Sequence, residues 1–304
     1  MENDPLLQPF QLKHLTLKNR IISTSHEPDY GEDGMPTERY RLYHVEKAKG
    51  GVAMTMTAGS AVVSSDSPAA FGNLRAYDDR IVGHMARLAE ECHEHGCAVM
   101  IQLTHLGRRT SFEAEDWLPV VAPSGVREPA HRTFPKTMED WDVARIAGDF
   151  AAAAGRMKAA GLDGIEISAT GHLMDGFWSP ITNRRDDEWG GDFDRRLAFT
   201  WAVIDAVRAE VGPEFIVGMR MVGDQETDKG ITREMGMEIA ARIAASGKFD
   251  FINLIKGRVD HDARNRSLIP IQGQPSAPHL EFAGDMRAAT KFPVSRRTRQ
   301  KLRV

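Results

Sequence analysis

Polar side chains stand where the predicted strands of this chain end. Gln102 lies at the end of the third predicted strand, Arg220 ends the fifth, and His172 follows the fourth. An amide can read the edge of a polar heterocycle, a fixed cation stabilises negative charge on a reduced ring, and histidine moves protons near neutral pH. No serine stands in a nucleophile elbow with triad partners, which disfavours hydrolysis. The set favours binding of a redox heterocycle such as a flavin.

Each of these residues also has an ordinary structural interpretation. Gln102 could fill an interior layer of a barrel, and Arg220 could form a buried pair with Glu166. His172 could be a loop histidine whose hydrogen bonds are satisfied within the protein. These alternatives stay open for each residue alone, but the placement on successive strand ends favours a shared site.

Short β-type runs alternate with helical runs along the chain, which predicts an α/β fold with a parallel sheet and crossover helices. Six complete strand–helix units without a GxGxxG fingerprint favour a (β/α)8 TIM barrel over a dinucleotide-binding sheet. A hairpin within residues 7–18 is expected to plug the bottom of the barrel. The predicted strands cover residues 20–25, 52–57, 98–103, 163–168, 215–220 and 251–255, and a seventh begins at 292–294.

Helix ends can also be predicted from capping residues. Thr137 with Asp140 resembles a capping box for the helix that runs to Ala160, and Gly161 suits its C-terminal end. Thr232 is expected to cap the helix after the fifth strand.

Composition and charge narrow the class of protein. The 304 residues carry a net charge of −4, which gives no reason to expect nucleic-acid binding. No apolar run approaches the roughly 20 residues that span a bilayer, and the first residues lack a signal-peptide layout, so a cytoplasmic protein is expected. Cys92 and Cys97 predict reduced thiols rather than a zinc or iron–sulfur site, and residues 93–95 predict a solvated helix face rather than a metal pair.

Several motifs resemble the old yellow enzyme family, which comprises NADH:flavin oxidoreductases. They are residues 7–10 (LQPF) with 15–20 (LTLKNR), 101–108 (IQLTHLGR), and 177–180 (FWSP) followed by Asn183, Arg185, Asp187, 189–191 (WGG) and 195–196 (RR). The resemblance covers residues 5 to 294 and implies an FMN-binding barrel domain at 1–294. Residues 295–304 form a basic tail that does not resemble the family. The last strand and helix of the barrel are therefore expected to be missing from this sequence.

The resemblance implies which residues contact the cofactor. They are the backbone of Ser23, Thr24 and Ser25, together with Ala58, Gln102 and Arg220. A related trimethylamine dehydrogenase attaches its flavin through a cysteine near the position of Glu27, so non-covalent FMN is expected here. No metal site or iron–sulfur cluster is expected, because the chain stops before the cluster motif of longer relatives.

The resemblance also points to a catalytic residue. His172 falls where many members carry a tyrosine that donates a proton near the substrate. The usual pair of histidines, or histidine and asparagine, that grips a carbonyl oxygen is absent. Ser168 and Thr170 stand in that region, which argues against ordinary enone reduction.

Other motifs look like those of bacterial demethylases that act on N-methylated amino acids such as N-methylproline and dimethylglycine. They are His26-Glu27 and residues 105–109, 127–132 and 178–180. This similarity implies oxidation of an N-methyl group to formaldehyde, with His26, Tyr30 and Trp178 contacting the substrate. The alternatives are an NAD(P)H-dependent ene or dienoyl reductase and a remnant barrel without activity. The expected partners are a small amine or enone and either NAD(P)H or an electron-transfer protein, with a homo-oligomer left open.

Overall fold

Seven parallel strands lie side by side in chain order across one curled sheet. The computed structural model describes residues 4–67, 72–109, 119–130, 132–259, 265, 267–268, 273 and 277–296. The strands are β1 (Ile22–Ser23), β2 (Met54–Val62), β3 (Ala98–Thr104), β4 (Gly164–Ala169), β5 (Ile216–Val222), β6 (Phe251–Ile255) and β7 (Val294–Arg296). Within the described residues β1 and β7 are the edges of the sheet. The architecture is an incomplete (β/α)8 barrel, which confirms the predicted fold class.

Helices cover the outer face of the sheet. In the described residues they are α1 (Glu38–Lys49), α2 (Ile81–His93), α3 (Asp140–Ala159), α4 (Leu173–Trp178), α5 (Phe193–Val211), α6 (Arg233–Ala245) and α7 (Leu280–Thr290). The apolar face of α3, formed by Ile146, Phe150 and Met157, is buried in the larger of two apolar clusters, which we call the main core. This burial removes apolar side chains from water and holds the strands in place from outside.

Helix capping agrees with the sequence at one helix and differs at another. Thr232 caps α6, because its side chain accepts a hydrogen bond from the backbone N–H of Met235. The prediction for α3 is wrong: Thr137 lies in a short strand pair with Ala122 and is two residues too early. The helix begins after Glu139, whose N–H donates to Asp142 Oδ2 at 3.0 Å.

A hairpin closes the amino end of the barrel, as the sequence predicts. Its antiparallel strands, Phe10–Leu12 and Leu15–Leu17, bury Leu12 and Leu17 against an apolar cluster inside the sheet. That cluster includes Met54, Met100 and Phe251, and we call it the lower cluster.

Two strands extend further than the sequence predicts. β2 continues to Val62 through a register shift between Thr57 and Ala61. β7 runs to Arg296 and pairs with β6, so regular structure continues two residues past the boundary expected at 294. The rest of the predicted tail, 297–304, and His131 of the demethylase-like motif lie outside the described residues.

Candidate active site

A buried carboxylate lies at the centre of the carboxyl end of the barrel. Glu166 on β4 is fully buried, and its two oxygens accept hydrogen bonds from neighbouring strands. Gln102 Nε2 on β3 donates to Oε1 at 2.7 Å, and Asn253 Nδ2 on β6 donates to Oε2 at 2.8 Å. Burial raises the pKa of Glu166, while the charge of Arg220 and the hydrogen bonds oppose that increase.

Ser25 joins this carboxylate to the buried cation of the site. Its hydroxyl accepts from Gln102 Nε2 at 2.8 Å and from Arg220 Nη1 at 2.6 Å, and it donates to Glu166 Oε1 at 3.3 Å. Three residues predicted to bind the cofactor, Ser25, Gln102 and Arg220, therefore come together. We call these three with Glu166 and Asn253 the carboxylate network.

A backbone bulge in β2 borders the carboxylate network. Ala58 and Ser60 both have positive φ angles, 51° and 95°, which side-chain-bearing residues rarely adopt. Hydrogen bonds hold them there: the N–H of Ala58 donates to Tyr40 Oη at 2.6 Å, and Asn73 Nδ2 donates to the Ser60 carbonyl at 2.8 Å. The bulge directs the Ser60 hydroxyl toward the centre of the site, where it lies 3.4 Å from Gln102 Oε1.

His172 stands next to this bulge, at the start of α4. Its ring Nε2 lies 3.1 Å from Ser60 Oγ. Asp175 Oδ1 accepts from the N–H groups of both His172 and Gly171 at 2.8 Å, and Leu173 N–H donates to the carbonyl of His105 at 3.0 Å. These bonds fix the backbone on both sides of the histidine, so the position of its ring is set by the fold.

The electrostatic surroundings keep His172 neutral. Desolvation of the ring, followed by the charges of Arg109 and Arg220, holds its pKa well below the usual value. The other ring nitrogen, Nδ1, is buried, and the His172 side chain faces the backbone N–H of Asp175 in the first turn of α4. Since Ser60 Oγ is placed to donate to Gln102, Nε2 can donate to Ser60 and leave Nδ1 as an acceptor.

A small cavity opens beside His172. It is lined by Gly171, Asp175 and Ser179 around α4, and by Gln225 and Val259 after β5 and β6. Its charged lining residues include Arg108, Arg109, Glu128 and Arg258. The lining of the cavity therefore combines charged, polar and apolar side chains.

The remaining predicted cofactor residues, Ser23 and Thr24, directly precede Ser25 at the end of β1. The hydroxyl of Ser23 accepts from Lys47 Nζ at 3.1 Å, and Thr24 is half-buried between Ser23 and Ser25. Their contact with a cofactor stays a prediction.

The three predicted substrate residues lie outside the described lining of the cavity. Trp178 is buried in the main core, where its Nε1 donates to Thr200 Oγ1 at 2.7 Å. Tyr30 packs edge-to-face on Tyr43, and Arg39 covers its ring at 3.9 Å. His26 is exposed, and none of the three is among the described residues that line the cavity.

Sequence reasoning did not assign a role to several residues that shape the site. Glu166 and Asn253 stand near the ends of predicted strands. A polar residue at the end of an apolar run is a signal that could have assigned both residues to the site. Ser60 had no such signal, because the bulge that places it depends on contacts with residues distant in sequence. A second buried network, in which His105 Nε2 lies 2.9 Å from Asp66 Oδ1, also went unpredicted. Burial would raise the pKa of Asp66, but hydrogen bonds from His105 and Arg145 hold it below the usual range.

The donors and acceptors present fit a flavin ring. Gln102 Oε1 keeps acceptor capacity, and Asn253 Oδ1 is a buried acceptor with no hydrogen-bond partner in the described residues. Buried polar atoms without partners are costly, so a polar ligand at this end would stabilise them. Arg220 is a buried cation of the kind that a reduced flavin ring would need.

Comparisons with known proteins identify a family model and relatives that match this chain. The model of the NADH:flavin oxidoreductase / NADH oxidase family matches residues 5–267. The chain is 58% identical to a probable N-methylproline demethylase of Rhizobium meliloti (strain 1021), over 97% of this chain and 43% of the relative. It is 42% identical to an N,N-dimethylglycine/sarcosine dehydrogenase of Chromohalobacter salexigens, and this match covers 97% of this chain and 43% of the relative.

A solved structure with the same fold is a 2-naphthoyl-CoA reductase in complex with 2-naphthoyl-CoA. It has a TM-score of 0.86 and 22% identity, and the match covers 97% of this chain and 46% of that one. The chain thus spans less than half the length of these relatives. Across the described residues, no helix is long and apolar enough to cross a membrane, and no group of three or more His, Cys, Asp or Glu side chains could hold a metal ion.

Proposed function

Because the chain belongs to the NADH:flavin oxidoreductase / NADH oxidase family, we propose that it binds FMN without a covalent bond and oxidatively demethylates a small N-methylated amino acid. The observation that carries this proposal is the buried, neutral His172, which lines the cavity and whose Nε2 lies 3.1 Å from Ser60 Oγ beside the carboxylate network. The two relatives described above are named for an N-methylated amino acid or for N,N-dimethylglycine and sarcosine, which are of the same chemical class.

The cofactor would be held by residues from four strand ends. These are the Ser23–Ser25 backbone, Ala58 at the β2 bulge, the Gln102 amide and the Arg220 guanidinium. When bound, FMN would supply the acceptor for the hydride that leaves the N-methyl carbon, and water would hydrolyse the resulting iminium ion to formaldehyde and the demethylated amine. Arg220 is the fixed positive charge that favours the reduced cofactor, and Glu166 orients the Gln102 amide by accepting from its Nε2.

His172 is the group that handles the amine proton. An ammonium cannot release a hydride readily, so the amine must be neutral before oxidation. Nδ1 of His172 is an acceptor because Nε2 can donate to Ser60. The low pKa of His172 keeps Nδ1 unprotonated in the neutral range but makes the ring a weak base, so His172 can relay the amine proton without retaining it.

The region of Ser168 and Thr170 favours amine oxidation over enone reduction. Their hydroxyls lie 3.0 Å apart and bond to each other within the buried end of β4. They do not provide the pair of imidazole or amide donors that would polarise an enone carbonyl. NAD(P)H-dependent reduction is therefore the second candidate, and the experiment below separates the two.

The test is anaerobic mixing of the FMN-loaded chain with N-methylproline, followed by flavin bleaching and a formaldehyde assay. We expect bleaching and release of formaldehyde, with the rate rising from pH 6 to pH 9 as the substrate amine loses its proton. His172→Asn should slow bleaching about 10²–10⁴-fold, whereas the exposed His84→Asn on α2 should not. Bleaching by NADPH alone, with turnover of cyclohexenone and no formaldehyde, would instead establish the reductase.

A further inference from the structure

His105 joins the ends of three neighbouring strands. It follows β3 and is 1% exposed, and its ring Nε2 lies 2.9 Å from Asp66 Oδ1 in the segment after β2. Its carbonyl accepts from the N–H of Leu173, which begins α4 after β4, at 3.0 Å. Gly107 tightens this contact, since a Cβ at that position would lie only 3.1 Å from Leu173 Cα. The ring of His105 is therefore fixed to one neighbouring segment and its backbone to another.

Hydrogen bonds determine which nitrogen of the His105 ring carries the proton. The backbone N–H of Gly107 donates to Nδ1 at 3.0 Å, so Nδ1 is an acceptor and carries no proton. Nε2 then carries the proton and donates to Asp66, because an ionised carboxylate can only accept. The bond between the two side chains thus has a fixed direction.

Asp66 is itself held firmly in place. Ser64 Oγ donates to Oδ1 at 2.6 Å, and the guanidinium of Arg145 on α3 pairs with Oδ2. Asp66 is 4% exposed, and a buried carboxylate needs such donors to remain ionised. Apolar side chains can often replace a buried pair of this kind without loss of stability, so stability alone is a weak reason for its presence.

The contacts form a closed circuit that ends at His172. The bulge of β2 carries Ser60, and the chain continues from there to Asp66, which binds His105. His105 binds Leu173, and the residue before Leu173 is His172, whose Nε2 lies 3.1 Å from Ser60 Oγ. His172 is therefore attached to the same segment twice, once through its ring and once through its backbone.

We propose that Asp66 and His105 are positioning residues that hold the ring of His172 against Ser60. This inference rests on the proposed function, in which His172 handles the amine proton. Neither Asp66 nor His105 is among the described residues that line the cavity, so both act through the backbone of Leu173. Loss of the pair would let the turn that carries His172 move away from Ser60, and small displacements of a catalytic group slow a reaction strongly.

The test combines FMN affinity, flavin reduction and the state of the His172 ring. His105→Leu removes both ring hydrogen bonds, whereas His105→Gln keeps a side-chain N–H donor for Asp66. The matched control is His93→Leu, which breaks another histidine–carboxylate pair, because His93 Nε2 lies 2.8 Å from Asp163 Oδ2. That pair joins the end of α2 to the residue before β4, at the amino end of the barrel.

We expect His105→Leu to slow flavin reduction by N-methylproline about 10- to 100-fold without changing the Kd for FMN, and His105→Gln to recover part of the loss. His93→Leu should change neither quantity. The His172 ring is followed by NMR of the chain with nitrogen-15-labelled histidine, and its signals are assigned with His172→Asn. In the unaltered chain the ring should stay neutral across the neutral range. His105→Leu should raise the pKa of His172 toward the ordinary value of about 6.5, because a displaced ring regains contact with water.

Two results would overturn the inference. One is a set of His172 signals that is the same in His105→Leu and in the unaltered chain. The other is an equal loss of FMN affinity and reduction rate, which would indicate general support of this end of the barrel. If the His172 signals respond as expected while N-methylproline does not reduce the flavin of the unaltered chain, the positioning role stands and the demethylase proposal fails.

Discussion

The two ends of the barrel are built from the same strands yet are filled by opposite chemistry. β3 contributes Met100 to the lower cluster and Gln102 to the carboxylate network, and β6 contributes Phe251 and Asn253 in the same way. In each pair the residues are two positions apart, so both point to the same face. Burial is nearly complete at both ends: Phe251 is 4% exposed and Glu166 0%.

The two ends show that the extent of burial does not determine whether the side chains inside the barrel are polar or apolar. At the amino end the hairpin seals the interior, and apolar contact is sufficient. At the carboxyl end each buried polar group is stabilised by hydrogen bonds, and a few atoms are left for a ligand. Stability should therefore depend on both ends, whereas FMN affinity should depend on one.

The largest expected effect is on stability, from Phe251→Ala in the lower cluster. Gly218 gives the Phe251 ring its space, since a Cβ there would lie 2.1 Å from the ring, so truncation leaves a cavity. We expect a loss of about 3–5 kcal/mol in unfolding free energy, measured by urea denaturation, with no change in the Kd for FMN. The exposed Phe134→Ala is the control, and its cost should stay below about 0.5 kcal/mol. A matching loss of FMN affinity in Phe251→Ala would break the comparison.

Glu166→Gln should cost somewhat less stability but impair cofactor binding. The amide nitrogen of the new glutamine would be a donor facing the N–H donor of either Gln102 or Asn253, so one hydrogen bond would be lost. Arg220 would also lose the negative charge near it. We expect about 2–3 kcal/mol of destabilisation and a Kd for FMN raised at least about tenfold, measured by quenching of flavin fluorescence. Glu188→Gln, at an exposed position, is the matched control. Unchanged FMN affinity would show that the carboxylate network is only structural.

Glu27→Gln sharpens the comparison between the two ends of the barrel. Glu27 follows β1 at the carboxyl end, and its carboxyl group has fewer hydrogen bonds than that of Glu166. Burial raises its pKa to about 7, and its Oε2 has no hydrogen-bond partner in the described residues. The folded state then holds its proton more tightly than the unfolded state, so this group costs stability as pH rises from about 4.5 to 7. We expect the variant to match the unaltered chain near pH 4 and to be more stable by about 1–2 kcal/mol at pH 8. A stability difference that is independent of pH would contradict this.

The smallest effect is expected at Trp178, where packing and substrate contact make different predictions. Trp178→Phe removes the hydrogen bond to Thr200 and should cost about 1 kcal/mol. Because the ring lies in the main core, KM for N-methylproline should stay constant. Combining the change with Thr200→Val should give a non-additive loss, since both remove one bond. A raised KM in Trp178→Phe would restore the predicted substrate role.

Local sequence signals were sufficient for the barrel and for part of the site. Apolar runs located the strands because strands covered on both faces have few polar positions, and the predicted β6 has the observed bounds. Gln102 and Arg220 could be found because each ends such a run. The predicted β2 stopped too early, since its continuation passes through the positive φ angles of Ala58 and Ser60, which neighbours such as Tyr40 and Asn73 hold in place. The substrate contact of Trp178 was predicted from a motif. No local sequence signal shows that its ring instead lies in the main core, where Nε1 donates a hydrogen bond to Thr200.

The carboxylate network also has a consequence for the order of folding. The partners of Glu166 are 64, 87 and 141 residues away along the chain, and the bond between Arg220 and Ser25 spans 195. Contacts of such separation carry a large loop-closure entropy and form slowly. The hairpin and the neighbouring strand pairs can form locally, but the network requires β1, β3, β4, β5 and β6 to be in place together. Its completion is therefore expected as a late event in folding, so a chain able to bind FMN tightly is one in which these five strands have already assembled.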